Sequence, residues 1–104
     1  MTANERRTKL SEKLHEVLGS DNVYFQPPEN QKIEYPAIIY NLEKENVRRA
    51  NNKRYFTCDR YQIKFIRKQF ESDVTEKLLD LPYCEHTREY KYADLYHDVY
   101  IIHI

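Results

Sequence analysis

The chain of 104 residues has a single glycine, no tryptophan and only two cysteines. Phosphate-cradling loops and dinucleotide fingerprints need several glycines, so this scarcity argues against a nucleotide-binding enzyme. Cys58 and Cys84 form no CxxC pair, and no histidine stands at zinc-ligand spacing from either cysteine. The sequence therefore predicts two free, partly buried thiols and no metal site.

Long apolar runs are also missing, and none approaches the roughly 20 residues that span a bilayer. The first ten residues, MTANERRTKL, carry charges without an apolar stretch after them, so we expect no signal peptide and a protein made and used, or assembled, in the cytosol. With 40% hydrophobic and 33% charged residues, the composition is that of a globular chain. We expect one domain over residues 1–104.

What the chain does have is tyrosine, ten residues in all, and an uneven distribution of charge. Residues 44–68 hold nine Lys and Arg against two acids, a net charge of +7. Since the whole chain is neutral, the remainder carries −7. Tyrosine suits protein interfaces, and such a dipolar chain favours contact with copies of itself or with an oppositely charged partner.

A helix is predicted over residues 4–18, because apolar residues recur there on one helical stripe: Leu10, Leu14, Val17 and Leu18. Thr2 with Glu5 has capping-box spacing, and Gly19 is placed to end the helix in the left-handed conformation. The interpretation for the charged residues of this helix is a solvated face, comprising Arg6, Lys9, Lys13 and Glu16.

Three strands and a basic loop are predicted next. The first strand covers residues 23–26 and stops at Pro27 and Pro28, which lack the amide hydrogen that a sheet ladder needs. The second covers 36–42, residues 43–54 form a basic loop, and the third strand covers about 55–67 with alternating apolar and polar residues.

A second helix is predicted over residues 72–81, with Asp73 and Glu76 at capping-box spacing and Pro82 after its end. Residues 84–90 form a fourth strand and 91–95 a turn. The last strand, 96–104, is apolar on both faces near its end, which predicts an interior position in the sheet. The expected fold is α+β, in the order α-β-β-β-α-β-β, with an antiparallel or mixed five-stranded sheet and two helices packed on one face.

Catalytic residues are not evident. His97 and His103 share a strand face but lie about 20 Å apart by strand rise, too far to bind one metal, and His97 and Asp98 point to opposite faces. A structural or exposed role is the simpler interpretation for each of the four histidines, including His15 and His86. The cysteines lack the glycine-rich elbow of a nucleophile, and the carboxylates show no paired pattern, so we expect no enzyme.

The basic loop has three interpretations. Four basic residues precede Tyr55 and Phe56, namely Arg48, Arg49, Lys53 and Arg54. They fit a solvated hairpin tip or a contact with an acidic protein neighbour. Basic residues beside aromatic ones also bind single-stranded nucleic acid, which keeps a small nucleic-acid-binding regulator as an alternative.

Several stretches, taken in order, resemble a family of small phage and prophage proteins from Gram-positive hosts, the tail terminator (tail completion, head–tail joining) proteins. The matching stretches are LGS at 18–20, VYFQPP at 23–28, YPAI at 35–38, RYQI at 60–63, LPYC at 81–84 and ADLYHDVYIIHI at 93–104. The resemblance covers roughly residues 10–104, and the ordered set, rather than any one motif, carries it.

The resemblance implies a structural virion protein at the head-proximal end of the tail. Such proteins assemble as rings, typically hexamers, that cap the tail tube, stop its polymerisation and meet the head–tail connector. DNA passes through the lumen without specific binding, and no cofactor, active site or membrane is involved. Another connector or minor tail protein is the alternative within the same setting. On this interpretation the interface candidates are Pro27, Pro28, Arg48, Arg49, Lys53 and Arg54.

Overall fold

The computed structural model describes the backbone of residues 2–50 and 53–104 and the side chains of residues 2–43 and 59–104. Two helices and five strands follow one another as α1 Ala3–Leu18, β1 Val23–Phe25, β2 Ala37–Ala50, β3 Lys53–Arg67, α2 Val74–Leu79, β4 Cys84–Tyr92 and β5 Leu95–His103. The predicted α+β class and element order are confirmed.

The five strands form one sheet in the order β1-β2-β3-β5-β4. β1 runs parallel to β2, and the other neighbouring pairs are antiparallel, so the sheet is mixed. β5 lies between β3 and β4, which confirms the interior position predicted from its apolar character. β1 and β4 are the two edges of the sheet.

Helix α1 begins and ends as the sequence predicts. The Thr2 hydroxyl accepts a hydrogen bond from the Glu5 amide at 3.1 Å, and Gly19 closes the helix at φ 74°, in the left-handed region where glycine avoids a side-chain clash. The predicted solvated face is wrong for Arg6, which is buried. Arg6 lies four residues before Leu10, so it extends the buried stripe rather than the charged face.

Helix α2 is shorter than the predicted 72–81. The predicted cap is wrong in detail, because the Asp73 side chain makes no capping hydrogen bond and Ser72 Oγ accepts one from the Val74 amide at 3.2 Å instead. The helix ends at Leu79, three residues before Pro82. Neither helix of the described chain has the length and apolar character needed to cross a membrane.

The core lies between the two helices and one face of the sheet. Ladder partners place Tyr40, Ile63 and Tyr100 side by side on that face. The buried side chains packed there come from α1, β2, β3, α2 and β5, namely Leu10, Leu14, Ile38, Tyr40, Tyr61, Ile63, Phe65, Val74, Leu78, Tyr100 and Ile102. Large rings thus fill a core that has little leucine, and both helices cover the same face, as predicted.

The opposite face of the sheet has no helix among the described residues, yet its centre is shielded. Val99 and Ile101 are buried there. The neighbouring Tyr90 ring stacks on His97 at 4.7 Å, and the Arg88 guanidinium lies 5.3 Å from the Tyr90 ring centre. Long side chains from adjacent strands therefore stand beside the apolar centre of this face.

The largest difference from the predicted elements is in β2 and β3. The predicted basic loop over 43–54 is wrong, because β2 continues to Ala50 and β3 begins at Lys53. The two strands pair with each other almost to the tip, with shifts in register after Leu42 and Arg48. Antiparallel pairing satisfies the backbone of this polar segment, so it forms strand without an alternating apolar pattern.

The second hairpin is also tighter than predicted. Strand β4 runs to Tyr92 and β5 begins at Leu95, so only two residues form the turn in place of the predicted 91–95. Ala93 and Asp94 have φ of 51° and 62°, and two successive positive φ values are typical of the two-residue turns that match strand twist.

Candidate assembly surface

The β2–β3 hairpin extends well beyond the rest of the sheet. β1 pairs with β2 only up to Tyr40, and β5 pairs with β3 only from Arg60 onward. Residues 43–58, here called the arm, therefore form a two-stranded ribbon whose described backbone pairs only with itself. Both outer edges of that ribbon are open within the described chain. Two-stranded ribbons are marginally stable in water, and open edges are ready sites for another chain.

The predicted interface residues of the basic segment all belong to this arm. Arg48 is the ladder partner of Phe56, Arg49 of Arg54, and Ala50 of Lys53. Their side chains lie outside the described residues, but the backbone brings all four basic positions to the last steps of the ribbon. The arm holds five Lys and Arg against two Glu, a net charge of +3.

A buried ion pair fixes the root of the arm. Asp59 accepts hydrogen bonds from Arg6 Nε at 2.8 Å and Nη2 at 3.3 Å, and both side chains are almost fully buried. The Asp59 backbone also exchanges two hydrogen bonds with Ile104, at 2.8 and 2.9 Å. Hydrogen bonds to Asp59 thus join helix α1, strand β3 and the last residue, Ile104, at the point where the arm extends beyond the rest of the sheet.

Pro27 and Pro28 directly follow Gln26, which meets the other strand at the arm root. Gln26, at φ 42°, ends β1 by donating its amide to Tyr40 O at 3.0 Å, and its side-chain oxygen accepts from the Leu42 amide at 3.1 Å. The Gln26 side chain therefore takes the place of a further strand residue. Pro27 is half-buried and Pro28 is exposed, and beyond Leu42 the β2 edge is open. The two prolines and the four basic residues thus belong to one end of the molecule, at the root and the tip of the arm respectively.

An open groove of about 860 Å³ lies at the opposite end of β3, between α2 and β4, and is here called the end groove. Its lining includes two exposed apolar side chains, Phe70 (65% exposed) and Leu79 (47% exposed). Three exposed acids, Glu71, Asp73 and Glu89, lie along it. Residues 69–104, which supply most of the lining, hold eight acids against three Lys and Arg, a net charge of −5.

The floor of the end groove is a charged network centred on the buried pair of Arg67 and Asp98. Arg67 Nη1 donates to Asp98 Oδ2, and Arg67 Nε donates to Phe70 O at 3.0 Å. The other Asp98 oxygen contacts His86 Nε2 at 3.0 Å, and the His86 ring lies edge-on to Tyr100. The network joins β3, β5, β4 and the turn after β3, so it holds the groove walls in place.

Two residues of this network, with Glu89, form the one trio of possible metal ligands found among the described residues. His86, Glu89 and Asp98 offer ligand atoms within 4.8 Å of one another. Asp98, however, already binds the Arg67 guanidinium, so a divalent cation would meet a fixed positive charge at its central ligand. We therefore interpret His86 and Asp98 as structural residues of the groove floor, with the exposed Glu89 beside them.

The sequence contains a signal for this network, namely charged residues on otherwise apolar strand faces, that apolar alternation alone does not reveal. Asp98 interrupts the buried face of β5, two residues before Tyr100, and Arg67 continues the buried alternation of Phe65 in β3. A charge on an apolar strand face calls for a partner of opposite sign on the neighbouring strand. Asp59 and Arg6 follow the same rule across a strand and a helix.

The remaining candidates for reactive chemistry, Cys84 and Tyr100, are held in their neutral, protonated forms by burial. Burial, with a smaller contribution from Glu85, raises the pKa of the half-buried Cys84 thiol to about 11. Burial likewise raises the pKa of Tyr100, with Asp98 adding to the shift. The side chain of Cys58 lies outside the described residues, so the prediction of a free, partly buried thiol stands for Cys84 alone.

Comparison of the chain with family models, with curated proteins and with solved structures gives no match.

Proposed function

We propose that this protein is a structural component of a phage tail, a tail terminator that assembles as a ring on the end of the tail tube. In this role it ends polymerisation of the tube and joins the tail to the head connector. The ordered sequence resemblance over residues 10–104 supports the assignment. The observation that carries it is the arm, a basic two-stranded ribbon projecting from the sheet with both edges open.

The arm has the properties expected of an assembly element. A two-stranded ribbon buries little apolar surface by itself, so its stability depends on what it packs against. The chain, arm included, is 51 Å long and 28 by 23 Å across, and the arm extends along β3, whose 15 residues span about 50 Å. An element of this shape reaches onto a neighbouring subunit without disturbing the core of its own.

Ring capping requires complementary surfaces rather than reactive groups. Head-to-tail contacts between different patches of identical chains close into rings when the rotation between neighbours allows it. An end groove flanked by carboxylates and a basic arm at opposite ends of one strand provide two different complementary patches, as such contacts require. A closed ring then covers the open end of a tube and leaves no site for the next tube subunit.

The direct test is the length of tail tubes polymerised with and without this protein. We expect tubes polymerised with the wild-type chain to stop growing at one end and to be shorter than tubes polymerised without it. A variant with four reversed charges should fold but fail to arrest growth, its substitutions being Arg48→Glu, Arg49→Glu, Lys53→Glu and Arg54→Glu. Electron microscopy measures tube length, and circular dichroism with thermal melting checks the fold.

A control variant carries the same change of net charge away from the arm. Its substitutions fall on Lys and Arg positions of α1, the loop after β1 and the sheet face opposite the helices, namely Lys9→Glu, Lys13→Glu, Lys32→Glu and Arg88→Glu. Arrest of tube growth should survive in this control. Equal arrest by the arm variant, or uninhibited growth with the wild-type chain, would contradict the proposal.

A further inference from the structure

We propose that the arm of one subunit docks in the end groove of a second copy of the same chain. This inference deepens the proposed function, on which it rests for the assumption that the chain assembles with itself. It names the two surfaces that meet, the basic arm of residues 43–58 and the groove between α2 and β4.

The two surfaces lie at opposite ends of the molecule. The arm contains the first residues of β3, and Arg67, the last residue of β3, lies in the groove floor. About 45 Å of strand separates Lys53, at the tip of the arm, from Arg67, so the tip of the arm cannot reach the groove of its own subunit. Contact between them is therefore intermolecular and heterologous, the type that produces a ring or a filament.

Their charges are opposite. The arm carries +3 and the C-terminal segment that builds most of the groove carries −5. Around the groove, Glu71, Asp73 and Glu89 are exposed, and of these Asp73 forms only an exposed pair with Lys77 at 3.5 Å. Exposed pairs of this kind are weak, so these carboxylates are accessible to a basic partner at little cost.

Their apolar residues match as well. Phe70 and Leu79 are among the most exposed large apolar side chains of the described structure, and both line the groove. The arm supplies Tyr55 and Phe56 in the midst of its basic residues. The arm thus combines aromatic residues with cations and the groove combines apolar side chains with carboxylates, the composition of an apolar centre with a charged rim that interfaces favour.

The buried floor gives the groove a fixed shape before any partner arrives. Arg67 binds both Asp98 and the Phe70 carbonyl oxygen, which holds the turn carrying Phe70 and Glu71. A preformed groove loses less conformational entropy on binding than a flexible one.

The test is a charge exchange between the two surfaces. One variant has the four arm reversals described above, and a second has three groove reversals, Glu71→Lys, Asp73→Lys and Glu89→Lys. Each variant alone should stay monomeric under conditions in which the wild-type chain assembles. A one-to-one mixture should recover assembly, because every contact then joins opposite charges. Sedimentation velocity measures the oligomeric state of all samples.

The matched control reverses three exposed acids far from the groove, Glu12→Lys, Glu16→Lys and Glu29→Lys. This control should assemble as wild type. Carbodiimide coupling of an equal mixture of labelled and unlabelled wild-type chain, followed by mass spectrometry, should join Lys44 or Lys53 of one copy to Glu71, Asp73 or Glu89 of another.

Failure of this inference differs from failure of the proposed function. Assembly that persists in the groove variant, no recovery in the mixture, or a wild-type chain that is monomeric at its highest soluble concentration would overturn arm–groove docking. A chain that assembles through these surfaces but leaves tube growth unaffected would instead overturn the tail-terminator role and leave the docking intact.

Discussion

Removal of the Asp59 carboxylate is the sharpest test of how the arm is held. In the folded protein Asp59 binds Arg6 through two hydrogen bonds, at 2.8 and 3.3 Å, and both side chains are withdrawn from water. The substitution Asp59→Ala leaves the Arg6 guanidinium buried without its carboxylate. It also removes the link between α1 and the strand from which the arm extends.

The expected loss of stability is large for a chain of this size. Breaking a buried ion pair by removing one partner costs about 3–5 kcal/mol. Small domains have a total free energy of unfolding of about 5–15 kcal/mol, so the substitution removes a substantial part of it. Non-additive effects of the two substitutions are the more specific sign of the ion pair, because Arg6→Met removes the charge that Asp59 compensates. The double variant should therefore be less destabilised than the sum of the two single variants, by about 2 kcal/mol or more.

Urea unfolding followed by circular dichroism measures these free energies. The surface pair of Arg60 with Glu43, at 3.0 Å and partly exposed, supplies the control: Glu43→Gln should cost no more than about 1 kcal/mol. Additive effects of the Arg6 and Asp59 substitutions, or a loss below about 1 kcal/mol for Asp59→Ala, would refute the structural role assigned to this pair.

Two further predictions concern the core. Leu14→Ala should destabilise the domain by about 2–5 kcal/mol, since Leu14 is fully buried under the sheet, whereas Leu79→Ala at an exposed position should change the melting temperature little; equal melting temperatures would show that α1 does not dock. In a Cys58→Ser background, Cys84 should react with iodoacetamide about a hundredfold more slowly at pH 8 than in the urea-unfolded chain, because its pKa of about 11 leaves little thiolate, and labelling should speed up as pH rises toward that pKa. Rapid labelling of the folded protein at pH 8 would contradict this placement of the thiol.

Helix α1 and the interior position of β5 were predictable because each rests on a local pattern. The stripe through Leu10 and Leu14 and the caps at Thr2 and Gly19 specify the helix without reference to the rest of the chain. β5 is apolar on both faces, and such a strand needs neighbours on both sides. Local sequence alone therefore identifies these elements.

The arm was not predictable in the same way. Residues 43–54 are polar and basic and show no apolar alternation, so the sequence reads as a loop. Their extended conformation comes from the hydrogen-bonded pairing of β2 with β3, which continues beyond the part of the sheet that β1 and β5 reach. That pairing is set by the register of β2 and β3 further along, where Tyr40 and Ile63 are partners in the core. A non-local cause of this kind leaves little trace in the segment itself.

The candidate site shows the same division. The basic positions of the arm stood out in the sequence, because charge is visible in a single chain. The end groove did not, since its residues come from the turn after β3, from α2, from β4 and from β5. The ion pair between Arg67 and Asp98 joins residues 31 positions apart, and only the strand order brings them together.

The mass of the assembled species tests the central claim most directly. Native mass spectrometry of the purified chain, with and without the tail tube protein, distinguishes a closed ring from an open series. Head-to-tail assembly into a ring predicts one discrete oligomer that dissociates as salt screens the contacts between arm and groove. A chain that remains monomeric in both samples, or one that forms a two-fold dimer unaffected by salt, would contradict the account.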